Sequence, residues 1–136
     1  MAKIMVVDDA EDLVDSIAIY LEKEGHQVTK IYSGEEVLRL APVERPDVIV
    51  LDVNLPGLDG FEVARRLKSH VLTAGIPVIF LTVRTSLKDR VQGLSLGALE
   101  YITKPFSMDE LSKKVEGVLK RVKEARRRLK WRRRRR

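Results

Sequence analysis

The chain contains no cysteine, which excludes disulfides, thiolate metal sites and cysteine nucleophiles. Histidine is nearly absent as well: His26 and His70 are the only two. Neither has the cysteine and carboxylate arrangement of a zinc site, and both are expected on the surface. Long apolar runs are missing. The strongest, Val48 to Leu51, falls far short of the ~20 residues a bilayer-crossing helix needs, so no membrane span is expected. The N-terminus MAKIMVVDDA reaches Asp8 without the apolar segment or small-residue cleavage site of a secretory signal, and a cytoplasmic location is expected. Negative charge is scarce at the other end. Residues 120–136 carry twelve Lys/Arg against the single Glu124, a local +11 that leaves −5 of the total +6 for residues 1–119. An acidic body and a basic tail are expected to do different work, so the overall charge is not a property of the fold.

What is present fits one soluble domain: 136 residues, 44% hydrophobic and 34% charged, within the usual size of a single core. Short apolar runs alternate five times with helix-like stretches. Lys3 to Val7 reads as a first strand. Asp12 to Lys23 reads as a helix, with Leu13, Ile17 and Leu21 at spacing four and Gly25 at its end. His26 to Tyr32 follows as a strand, then a helix capped by Ser33 and ended by Pro42 and Pro46. The nearly all-apolar Val48 to Leu51 is a strand buried on both faces. Turn residues Asn54 to Gly60 lead into a helix over Phe61 to His70. Pro77 to Leu81, Ser86 to Leu96 and Tyr101 to Thr103 complete the order as strand, helix and strand. Apolar central strands joined by helices imply an α/β fold: an open, doubly wound, five-stranded parallel sheet covered on both faces. Ligands of such sheets sit beyond the carboxyl ends of the strands.

Those ends carry the chemistry. Asp8 and Asp9 follow the first strand and Asp52 follows the third. Three carboxylates repel one another, and a cluster of oxygen ligands suits a hard dication such as Mg²⁺. Lys104 after the fifth strand and Thr82 after the fourth supply a cation and a hydroxyl on the far side of the same crevice, where both can hold a phosphoryl group. Each residue has a blander reading taken alone: Asp8-Asp9 as helix-capping acids, Thr82 as a turn residue, Tyr101 as the edge of a core. Asp59-Gly60 reads as a helix start rather than a ligand.

Together the residues resemble the receiver domains of two-component response regulators over about residues 1–122. The motifs are Val-Val-Asp8-Asp9, the buried strand into Asp52 with Leu55-Pro56-Gly57 and Asp59-Gly60, Phe80-Leu81-Thr82, Gly97-Ala98, and Tyr101-Ile-Thr-Lys104-Pro105-Phe106. The resemblance implies a CheY-like, flavodoxin-like sheet of strand order 2-1-3-4-5. It implies that Asp52 accepts a phosphoryl group from the phosphohistidine of a sensor histidine kinase or a phosphotransfer protein. Asp9 and Asp52 would then hold Mg²⁺ with the backbone carbonyl of Asn54, and Asp8 would act mainly through water. Thr82 and Tyr101 would be the switch, and Pro105 would follow a cis peptide bond that aims Lys104 into the site. Such a protein is a regulated binding module rather than an enzyme, beyond its own phosphorylation and dephosphorylation. Its output face, made by the fourth helix, fifth strand and last helix, is also a candidate homodimer surface.

The chain departs from the family at two places. Val83 and Arg84 follow Thr82 where Ala or Gly is usual, and a slow loss of phosphate is expected from the narrowed access. Ala98-Leu99-Glu100 stands where the DNA-binding branch commonly has two acidic residues.

Leu111, Val115, Val118, Val122, Ala125 and Leu129 keep one apolar stripe running past the domain end, so a helix from Met108 to Lys130 is expected to project its last turns into solvent. Residues 123–136 form a basic extension, with Arg132 to Arg136 of low complexity. Three readings stay open for it: a solvated tail or linker, non-specific contact with nucleic acid or another acidic partner, and contact with a membrane surface. Self-association through the extended helix is a further candidate. The main rival function is nucleic-acid binding by the Arg-rich helix on a receiver-like scaffold. A flavodoxin-like enzyme needs a phosphate-cradling loop where Asp8-Asp9 stand, and an aspartyl phosphatase needs an acid where Asn54 stands.

Overall fold

Side chains on a strand alternate between the two faces of its sheet, and here both sets are apolar. A computed structural model describes residues 1–135; Arg136, the end of the basic run, lies outside the described residues. The elements are β1 (Lys3–Val7), α1 (Glu11–Lys23), β2 (Gln27–Ile31), α2 (Gly34–Glu44), β3 (Val48–Leu51), α3 (Gly60–Ser69), β4 (Val78–Thr82), α4 (Leu87–Ser95), β5 (Glu100–Thr103) and α5 (Met108–Arg134). All four strand pairings are parallel, in the order β2-β1-β3-β4-β5, as the sequence leads one to expect.

Ile4, Val6, Val48, Val50, Ile79, Leu81 and Ile102 point to one face, where α1 covers them with Val14, Ile17 and Leu21, and α5 with Leu111, Val115 and Val118. Met5, Val7, Ile49, Leu51, Val78 and Phe80 point to the other, under α2 and α3 with Val37, Ala41, Phe61, Val63, Ala64 and Leu67. Fully burying one such side chain contributes roughly 1.5–3 kcal/mol, so these two clusters hold the strand ends in register. By contrast α4 buries only Gly93 and leaves Leu87, Val91 and Leu94 exposed.

Two local expectations fail. Pro42 does not end α2, which runs through it to Glu44 and closes at Arg45 in the left-handed conformation. Proline removes one backbone donor there, yet Ala41 is fully buried and accepts the Arg45 N–H at 2.9 Å, holding the last turn in place. His26 is not a surface residue: its side chain is only 7% exposed, with Nε2 2.7 Å from Glu116 Oε1 and Nδ1 accepting from the Ala2 N–H at 3.2 Å. Its partner stands ninety residues away on α5, a pairing no local pattern announces. His70 is exposed.

Three caps behave as their sequences suggest. Ser33 and Asp59 accept from the N–H of Glu36 and Glu62, and Gly25 (φ +94°) follows α1 in the left-handed region. The last helix is one unbroken element to Arg134, four residues beyond the expected end and about 40 Å long at 1.5 Å per residue. Its stripe is buried at Leu111, Val115 and Val118, half-buried at Val122 and exposed from Ala125 onward. Among the described residues, no helix is long and apolar enough to cross a membrane.

Candidate functional site

β1 and β3 are neighbours in register, Val7 beside Leu51, so the residues that follow them emerge side by side. Asp8 and Asp52 are both buried, at 3% and 5% exposure, while Asp9 is exposed. Backbone pairing continues into the site: the Asp52 N–H donates to Val7 O at 3.0 Å and the Asp8 N–H to Ile31 O at 3.1 Å. Each carboxylate is oriented locally through one oxygen. Asp8 Oδ1 accepts from the Ala10 N–H at 2.9 Å, and Asp52 Oδ1 from the Asn54 N–H at 3.1 Å.

The other oxygens face Lys104. Its Nζ donates to Asp8 Oδ2 at 2.6 Å and to Asp52 Oδ2 at 3.1 Å. The chain reaches this point because the Lys104 N–H donates to Thr82 O at 2.9 Å, extending the β4–β5 pairing by one step. The Lys104–Pro105 peptide is cis. Burial by itself lowers the Lys104 pKa, but the hydrogen bond to Asp8 and the charge of Asp52 outweigh it and hold the ammonium above its usual value.

Asp8, Asp9 and Asp52 each offer an oxygen within 4.8 Å of the others. Three carboxylates and one ammonium carry a formal charge of −2, which a dication cancels. The donor set is oxygen only, in keeping with Mg²⁺, so the residues present fit the ion.

Thr82 ends β4 with its side chain fully buried, and its Oγ1 accepts from the Arg84 N–H at 3.3 Å. The Tyr101 hydroxyl donates to Arg84 O at 2.7 Å. The Tyr101 ring packs against Phe80, and Arg90 lies over its face at 5.7 Å. Burial raises the Tyr101 pKa, helped by the negative charge of Asp89. The candidate site residues fall into two groups at or next to the carboxyl end of the sheet, Tyr101 lying earlier on β5 and reaching that end through its hydroxyl. Asp8, Asp9, Asp52 and Lys104 form the charged cluster, with Asn54 bonded to it; Thr82 and Tyr101 meet at Arg84.

Arg84 was visible in the sequence only as a departure from the family pattern. Its backbone serves both switch candidates, and its guanidinium lies 5.3 Å from the Phe61 ring centroid and donates to Asp89 at 2.9 Å. Gly60 is a second residue whose importance the sequence understates. A Cβ there would fall 2.2 Å from the Asp52 carbonyl oxygen and 2.8 Å from Val53 Cα, and the Gly60 N–H donates to Val53 O at 2.9 Å. The start of α3 is thus packed directly behind the Asp52 backbone. Only a helix-start glycine marked this position in advance.

Comparison with known proteins finds a family model, described as the response regulator receiver domain, that matches residues 4–116. The chain is 45% identical over 119 residues to the alkaline phosphatase synthesis transcriptional regulatory protein PhoP of Bacillus subtilis, covering 88% of this chain and 49% of that protein. It is thus about half as long as that relative. It is 40% identical over 119 residues to protein PilH of Pseudomonas aeruginosa, covering 88% of this chain and 98% of that one. A CheY-like receiver domain protein from Methanospirillum hungatei superposes with a TM-score of 0.85 at 30% identity, over 92% of this chain and 98% of that chain. The receiver domain of a Francisella response regulator does so at 0.83 and 35% identity, over 89% and 98%.

Proposed function

From the premise that the chain belongs to the response regulator receiver domain family, we propose that Asp52 is its phosphoacceptor and that the donor is a phosphohistidine of a sensor histidine kinase or phosphotransfer protein. The observation that carries this reading is the contact of one ammonium, Lys104 Nζ, with two buried carboxylates at adjacent strand ends.

Asp52 Oδ attacks phosphorus, the P–N bond breaks, and its electron pair stays on the donor imidazole. The product is an acyl phosphate on Asp52. Most of the barrier is lowered by position and electrostatics. The Asn54 N–H holds Asp52 in place through Oδ1, and Lys104 is placed to follow the new phosphoryl oxygens as Asp52 ceases to be an anion. Asp9 and Asp52, with the Asn54 carbonyl, would hold Mg²⁺, and Asp8 would act through water. When bound, that ion supplies positive charge against the phosphoryl oxygens.

Output is a shift between two surface states, bounded by the difference in phosphoryl binding to each. Thr82 would turn its hydroxyl from the Arg84 N–H to the phosphoryl group, and Tyr101 follows through the Arg84 carbonyl. The responding face is α4, β5 and α5. It is also the candidate homodimer surface, although Glu100 on this face is already engaged by Lys114 at 3.2 Å and Arg121 at 3.0 Å within the chain. We assign the protein no turnover beyond gaining and losing this group, and residues 1–122 as the receiver with 123–136 as its extension.

Intact-mass spectrometry after treatment with acetyl phosphate tests the assignment. Gain of one phosphoryl group that requires both Mg²⁺ and Asp52, and is lost in Asp52→Ala, is the expected result. An unchanged mass, with a cognate kinase supplied as well, would sink it.

A further inference from the structure

The sheet ends opposite Asp52 open onto a cavity of about 720 Å³ lined by Ala2, His26, Asp47, Lys120, Lys123 and Arg126, among others. β1 separates it from the phosphoacceptor by about 16 Å at 3.3 Å per residue. Its two acids are already engaged: Glu116 by His26 at 2.7 Å, and Asp47 by the Lys3 N–H at 2.7 Å. Two of its cations, Lys120 and Lys123, begin a series. Lys120, Lys123, Arg127, Lys130 and Arg134 fall at spacings 3, 4, 3, 4, so they share one face of α5, and all five are exposed.

Among the described residues, none of the cations from Lys123 to Arg135 lies in an ion pair. Like charges three and four apart repel along a helix, and among the described residues no acidic side chain pairs with the stripe. Favourable placement at a helix C-terminus accounts for the last turn only, whereas this series runs through four.

We propose that this stripe, from the cavity to the end of α5, binds the phosphate backbone of double-stranded nucleic acid. Charge complementarity and the narrowness of the apolar face beyond Val122, which only Ala125 and Leu129 continue, single out that partner. A helix lying in a bilayer surface needs one wide apolar face. Here the two exposed apolar side chains, Leu129 and Trp131, stand about 160° apart around the helix, and arginines occupy the arcs between them. The stripe is about 21 Å long and passes about twelve phosphate charges at one per ~1.7 Å of duplex axis. Five cations therefore find partners without reading sequence. The Asp52 site lies at the other end of the strands, so the two sites can be filled together.

Fluorescence anisotropy of the full chain with a labelled duplex of about 20 base pairs tests this. Five phosphate contacts give a slope of about −4.5 in log affinity against log salt, a loss of roughly 500-fold between about 50 and 200 mM. The triple variant Arg127→Gln, Lys130→Gln, Arg134→Gln is expected to bring the slope to about −2. Arg128→Gln, Arg132→Gln, Arg135→Gln removes the same charge from other faces and should change it less. Equal losses in the two variants would overturn the stripe. So would binding to vesicles of phosphatidylglycerol and phosphatidylcholine without binding to duplex, or salt-sensitive self-association in sedimentation without binding to duplex. The measurement uses unphosphorylated protein, so its failure is separate from failure of the Asp52 assignment.

Discussion

The Tyr101 hydroxyl donates to the backbone carbonyl oxygen of Arg84 at 2.7 Å, and the N–H of the same residue donates to Thr82 Oγ1 at 3.3 Å. One residue therefore joins the end of β4 to the aromatic ring on β5. Tyr101→Phe removes one partly buried hydrogen bond and should lower stability by about 1 kcal/mol, read as a shifted urea midpoint at constant m-value. It should also weaken the response of the α4–β5 surface to phosphorylation. A variant that unfolds and responds like the parent would show that the contact is incidental.

Lys104 and Tyr101 both have pKa values raised by folding, Lys104 against the opposing effect of burial and through Asp8 and Asp52, Tyr101 through burial. The sign is the same for both. Each contributes stability that is full below its unfolded pKa, about 10.5 and 10, and that is lost as pH rises through the folded value. Urea midpoints should fall above about pH 10, and less steeply in Lys104→Met and in Tyr101→Phe. Parallel pH profiles in all three proteins would contradict this account.

Mg²⁺ should stabilise the protein by relieving the uncompensated −2 charge of Asp8, Asp9, Asp52 and Lys104. At ten times its Kd the ion adds about 1.4 kcal/mol, visible as a rise in Tm that Ca²⁺-free buffer with EDTA abolishes. Asp9→Asn removes an exposed ligand without disturbing the core and should largely remove the effect. An undiminished rise would take Asp9 out of the ligand set.

Gly60→Ala places a methyl group 2.2 Å from the Asp52 carbonyl oxygen. Backbone is the obstacle, so the loop has to move, at a cost of about 1–3 kcal/mol. Both the urea midpoint and the rate of phosphorylation by acetyl phosphate should fall. Retention of the parent rate would mean that the loop yields without displacing the carboxylate.

Val83 is 58% exposed and directly follows Thr82, the residue proposed as the switch. Val83→Ala is expected to shorten the life of the aspartyl phosphate several-fold, followed by intact mass over time after removal of donor. No change, or a longer life, would free Val83 of any part in shielding the group.

Much of this protein is legible in one dimension because its signals are local. Short apolar strand runs, the turn residues after β3 and the caps Ser33 and Asp59 each depend on neighbours within a few positions, and apart from the ends of α2 and α5 the elements stand within a residue or two of where those signals put them. Pro42 misled because proline's cost is local, while the burial of Ala41 that holds the last turn of α2 is tertiary. His26 misled for the same reason, its partner Glu116 being on the far side of the chain. The acidic site was readable because parallel strands bring residues after their carboxyl ends together wherever those residues lie in sequence.

By itself the sequence determined the order of elements, the identity of the carboxylates and lysine at the strand ends, and the separation of an acidic body from a basic helix, since these follow from periodicity, motif and charge count. Only the tertiary structure decided that Lys104 touches both Asp8 and Asp52, that Gly60 backs the Asp52 carbonyl, that Arg84 links Thr82 to Tyr101, and where α5 leaves the body. Those are distances between residues far apart in the chain, and they exist only once the sheet has brought its strand ends into register.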